Sequence, residues 1–92
     1  MFSIYVAFKC FPGKREAFVK RVKEEGILDA IRAEDGCLVY DYYYSEKDEN
    51  ELLLIEKWET KHHQEILELS FFHPLNKLKY CQSVITQYVM PL

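Results

Sequence analysis

Residues 34–60, EDGCLVYDYYYSEKDENELLLIEKWET, constrain the fold of this chain more than any other stretch. Two apolar runs, Cys37 to Tyr44 and Leu52 to Trp58, flank a charged break from Ser45 to Glu51 that has the length of a hairpin loop. β-Branched, aromatic and leucine side chains fill both runs, as a pleated surface favours. The hairpin is apolar at both alternating phases. Leu38, Tyr40, Tyr42 and Tyr44 share one side, and Cys37, Val39 and Tyr43 share the other. A sheet built on it needs cover on both faces.

The rest of the chain supplies cover for one face. Residues 2 to 11 alternate Phe2, Ile4, Val6, Phe8 and Cys10 against Ser3, Tyr5, Ala7, Lys9 and Phe11, a first strand broken by Pro12 and Gly13. A helix follows from Lys14, with Ala17, Phe18, Val19 and Val22 on its apolar stripe and Arg15, Glu16, Lys20, Arg21, Lys23 and Glu24 on its polar face. Gly26 interrupts it, and a short helical piece from Ile27 to Ala33 carries Leu28 and Ile31 until Asp35 and Gly36 end it, so the first helix is expected to be long and bent at the glycine. After the hairpin, Thr60 reads as the N-cap of a second helix with Ile66, Leu67 and Leu69 inward, stopping near Ser70 to His73. Pro74 suits the first position of a short helix on Leu75 and Leu78, and residues 83–91, SVITQYVMP, read as a fourth strand.

The order is β-α-β-β-α-β over residues 1–92, one domain of the α+β class, with a ferredoxin-like antiparallel four-stranded sheet and helices on one face. The other face is apolar in three strands, so the economical solution is a homodimer with two sheets packed face to face. Composition agrees: 49% hydrophobic and 15% aromatic residues are generous for 92 residues, whose surface-to-volume ratio normally leaves much polar surface.

Charge excludes one class of partner. The 12 basic and 15 acidic residues are interspersed, for a net charge of −3, so no basic field exists to draw nucleic acid. The basic cluster of the first helix reads as a solvated face. Cys10, Cys37 and Cys81 form neither a metal-ligand spacing nor a self-contained disulfide framework and read as reduced core residues. Met1 leads straight into a strand pattern and no apolar run reaches membrane-spanning length, so the expected location is the cytoplasm, away from membranes.

Three motifs in order, Pro12-Gly13-Lys14, Glu34-Asp-Gly-Cys-Leu-Val-Tyr40 and Leu53-Leu-Ile-Glu-Lys-Trp-Glu-Thr60, resemble the antibiotic biosynthesis monooxygenase family of dimeric α+β barrels. The resemblance implies oxidation of quinol-type or polyketide-like aromatic compounds by molecular oxygen, with no metal or flavin cofactor. In such chemistry a substrate anion passes an electron to oxygen, and the protein supplies a dry pocket, positioning and proton transfer. Related barrels degrade haem or isomerise a phosphorylated signal. The haem branch's signature falls near Val6, Leu67 and Lys77, none of which matches it.

The candidate catalytic residues are Glu56, His63 and His73, and the candidate substrate-binding residues are Trp58, Leu54, Tyr40, Leu67 and Phe72. Leu52, Leu54, Glu56 and Trp58 share one face of the third strand. If that face meets the helices, Glu56 is a desolvated carboxylate able to exchange protons; otherwise it pairs with charges at the sheet rim. Trp58 resembles the family's tryptophan and offers a flat wall with one N–H donor. The tyrosines of the second strand are expected mostly at the dimer seam. His62 and His63 stand about 100° apart on the second helix, so at most one points inward. Family members carry helix-two histidines where this chain has Leu67 and Phe72, with His73 one residue further on. The reading is a cofactor-independent monooxygenase acting on a small phenolic, quinol or polyketide-like compound. Its alternatives are a non-catalytic small-molecule binding domain and an isomerase of a phosphosugar-like signal, which needs a cationic anchor.

Overall fold

The computed structural model describes residues 1–71 and 77–89, and the side chains of residues 1–67 and 79–88. The elements are β1 (Phe2–Cys10), α1 (Arg15–Glu24), α2 (Ile27–Arg32), β2 (Cys37–Tyr44), β3 (Glu51–Trp58), α3 (Lys61–Phe71), α4 (Lys77–Tyr80) and β4 (Cys81–Val89). The strands form one antiparallel sheet in the order β2-β3-β1-β4, the ferredoxin-like arrangement.

Register decides which side chains share a face. Ile4, Val6 and Phe8 stand opposite Glu56, Leu54 and Leu52, and Tyr40 and Tyr42 stand opposite Glu56 and Leu54. These residues meet Phe18, Val19 and Val22 of α1, Leu28 and Ile31 of α2, and Leu67 of α3 in one core. Phe8 and Phe18 touch with ring centroids 5.5 Å apart. On the opposite face Tyr5, Ala7, Val39, Leu53 and Ile55 are only half-buried, and Tyr43 and Ile85 are exposed.

Several local expectations shift. The first helix is two helices, because Gly26 adopts a left-handed φ of 72° that a helix cannot pass through. Ala17 is exposed, since Phe18, Val19 and Val22 already fill the contact with the sheet. In α3, Gln64 and Leu67, three residues apart, face inward, whereas Ile66 is 43% exposed. Thr60 caps this helix by accepting the backbone N–H of His63 at 3.3 Å. β4 begins at Cys81, two residues earlier than the pattern indicated, where the Cys10 and Cys81 sulfurs lie 3.7 Å apart and buried. Arg15 is no solvated face residue: its guanidinium lies over the Tyr44 ring at 4.5 Å and donates to the carbonyls of Ser45, Asp48 and Glu51. The readings on Phe72, His73, Pro74 and Leu75 lie outside the described residues, as do the side chains of Leu69 and Leu78.

Candidate functional site

The helices cover the Trp58 face of β3, and this places a carboxylate in the core. Glu56 is 6% exposed and Trp58 fully buried. Residues two apart on a strand point the same way, so the indole Nε1 donates to Glu56 Oε1 at 3.1 Å. A buried carboxylate loses its hydration, and a fixed N–H donor replaces part of it.

Tyr40 faces Glu56 across the β2–β3 ladder, and Tyr42 lies one step further along. Their rings meet edge-on with centroids 6.0 Å apart. Burial pushes the Tyr40 phenol well above its usual range, with Tyr42 and the Glu56 charge adding to the effect. Burial likewise pushes the Tyr42 phenol up, opposed by the neighbouring Tyr40 and reinforced by the Glu56 charge. Both phenols therefore remain proton donors at neutral pH. The expected place of these tyrosines at a dimer seam is corrected: Tyr40 and Tyr42 sit under the helices, and Tyr43 takes the open face.

A bulge between Cys37 and Val39 brings a further residue to the cluster. It sets Cys37 opposite Trp58 and leaves Leu38 half-exposed, so Cys37 joins the Tyr40 side instead of the Val39 side. Burial, and secondarily the Glu56 charge, push the Cys37 thiol up. A one-residue slip of this kind has no signature in an alternating sequence. The inward Gln64 did have one, its spacing of three from Leu67.

The structure thus brings Glu56, Trp58, Leu54 and Tyr40 onto one covered face, with Leu67 buried on α3 above the sheet. His63 sits instead beside the turn at Gly36. Its Nδ1 lies 2.7 Å from Thr60 Oγ1 and its Nε2 3.4 Å from Asp35 Oδ2, so both ring nitrogens are engaged there. His62 is exposed. Phe72 and His73 lie outside the described residues. Among the described residues no group of three or more His, Cys, Asp or Glu side chains is placed to hold a metal ion, and no helix is long and apolar enough to cross a membrane.

A helix-covered ferredoxin-like sheet with a carboxylate, an indole and two phenols clustered in its core defines a small α+β protein of the ferredoxin-like class. The profile of the antibiotic biosynthesis monooxygenase family matches residues 1–66, and the chain belongs to that family. Solved structures share the fold. A Pseudomonas aeruginosa protein (22% identity, TM-score 0.83) covers 99% of this chain and 93% of its own. A Mycobacterium tuberculosis protein (24% identity, TM-score 0.81) covers 99% and 94%. A structure named antibiotic biosynthesis monooxygenase (18% identity, TM-score 0.80) covers 100% and 99%. Among curated proteins none matches the sequence.

Proposed function

We propose that the protein is a cofactor-independent monooxygenase of a small phenolic, quinol or related carbonyl compound. The observation that carries this reading is the buried Glu56 carboxylate, held by the Trp58 indole and faced by the Tyr40 and Tyr42 phenols. Glu56 takes the proton whose loss makes the substrate an electron-rich anion. That anion passes one electron to molecular oxygen, the radical pair closes to a hydroperoxide, and loss of water leaves the oxidised product. For a hydroquinone the balance is hydroquinone plus oxygen to hydroxyquinone plus water. In this reading Tyr40, a phenol kept protonated by burial, hydrogen-bonds a substrate oxygen, and the buried Trp58, Leu54 and Leu67 keep the anion dry. His63, Phe72 and His73 complete the proposed set, His63 from the helix start beside Gly36.

We also infer that the open face of the sheet, with Leu53, Ile55, Ala7 and Tyr43, meets a second copy of the chain. The test of the activity is oxygen uptake with a panel of hydroquinones and anthrones. Wild-type protein accelerates uptake over the buffer rate, and Glu56→Gln, which keeps the shape but cannot accept the proton, loses about 10²- to 10⁴-fold. Equal rates for the two proteins would overturn the assignment. Binding without turnover is the second reading, favoured by the engagement of both His63 nitrogens. It predicts a ligand that raises the melting temperature while oxygen uptake stays at the buffer rate.

A further inference from the structure

β2 is an edge strand, and its ladder with β3 decides which of its amides face outward. Ser45 N–H donates to Glu51 O at 3.3 Å. The hydrogen-bonded pairs therefore continue through Tyr43–Leu53 and Asp41–Ile55, and Tyr40, Tyr42 and Tyr44 turn their N–H and C=O groups away from the sheet. An open edge of this kind is a template for pairing with another chain. Arginines stand near both its ends. Arg32 Nε donates to Tyr40 O at 3.0 Å, and its second nitrogen reaches Asp41 Oδ1 at 3.2 Å. Arg15 covers the Tyr44 ring and binds the carbonyls of Ser45, Asp48 and Glu51.

Beside Arg32 lies a cleft of about 350 Å³ bordered by Val19, Lys23 and Leu28 of the helices and by Asp41, Tyr42, Tyr43 and Tyr44 of β2. Its volume lies at the lower end of the range, roughly 300–1,000 Å³, in which small ligands bind. Val19 and Leu28 are 4% and 3% exposed, so its base is apolar, and the tyrosines add aromatic walls. The charge comes from α1. Arg15, Lys20 and Arg21 are each paired with a carboxylate, Glu16, Glu24 and Glu25, and Arg32 is paired with Asp41. Lys23, which the sequence assigns to the solvated helix face, has no carboxylate partner among the described residues and lines the cleft. With the Arg32–Asp41 pair neutral together, Lys23 leaves this mixed polar and aromatic cleft one positive charge, which matches a flat molecule bearing a single negative charge.

We propose that this cleft is a binding site for a small aromatic carboxylate. Lys23 Nζ and the outward N–H of Tyr42 receive the carboxylate, and the ring lies against Val19, Leu28 and the tyrosines. Arg32, already committed to Tyr40 O and Asp41, keeps the Asp41 charge from opposing the ligand. The site does not use Glu56, and it shares only Tyr42 with the proposed oxygenase cluster.

The test is amide-resolved NMR titration of the ¹⁵N-labelled protein with 2-naphthoate and with its neutral analogue 2-naphthamide. The expected result is saturable movement of the Tyr42 amide signal by naphthoate, with affinity about tenfold lower for naphthamide and about tenfold lower for naphthoate on Lys23→Gln. Glu56→Gln binds naphthoate as the wild type does. Equal affinity for the acid and the amide, unchanged binding by Lys23→Gln, or movement centred on the Trp58 indole instead of Tyr42 would each overturn the proposal.

Discussion

Tyr40 and Tyr42 occupy a position where a phenolate is disfavoured twice, by burial and by the neighbouring Glu56 charge. Their folded pKa values lie above 10, the value an open chain shows. The sign follows from proton counting. Between the unfolded and folded pKa values the unfolded chain has lost protons that the folded protein keeps, so unfolding stability falls as pH rises. The contribution is intact below about pH 10 and is lost above it. Urea unfolding at pH 8 and pH 10.5 is therefore expected to show an alkaline loss of stability that Tyr40→Phe reduces. A Tyr40→Phe variant with the same pH slope would show that this phenol does not report the buried cluster.

At the scale of elements, the junction between α2 and β2 governs how the hairpin meets α3. Gly36 has a φ of 83°, and a Cβ built there lies 2.4 Å from His63 Cγ. The Gly36 carbonyl also accepts the Glu59 N–H at 2.8 Å, so this turn, the end of β3 and the start of α3 are locked together. Gly13 has a similar φ of 76°, but a Cβ there would meet nothing within 4 Å. Replacing each with alanine separates two effects. Gly13→Ala carries only the left-handed backbone strain, about 1 kcal/mol. Gly36→Ala adds displacement of the His63 ring and is expected to cost about 2–4 kcal/mol, read as a larger fall in the urea midpoint. Equal losses for the two would mean that the approach of α3 to the turn carries no energy.

For the whole molecule, the two sheet faces have unequal cover. One carries the helices and the buried cluster, and the other leaves Leu53, Ile55, Ala7 and Val39 half-buried with Tyr43 and Ile85 exposed. A second sheet would remove this apolar surface from water at roughly 25 cal/mol per Å². Sedimentation at micromolar concentration is expected to give a dimer. Leu53→Asp, set opposite Ala7 and Tyr43, is expected to give a folded monomer. A wild-type monomer at that concentration would overturn the inference.

Alternation and breakers in the chain were enough to show the strand pattern, the helix-capping Thr60 and the placement of Leu54, Glu56 and Trp58 on one phase of β3, because each depends on neighbours along the backbone. Which phase the helices cover is a matter of long-range packing, and both phases are apolar, so periodicity alone could not choose. The same limit applied to the tyrosines of β2, whose side was decided by register with β3, and to Cys37, moved by a bulge. Lys23 and Tyr42 lie far apart in sequence, and only the packing of α1 and α2 against β2 brings them to one cleft. Alternation along the backbone carries the strand pattern and the chemistry on each phase of β3. The tertiary structure decided which of those phases became interior, since burial is a property of contacts between elements and not of any one of them.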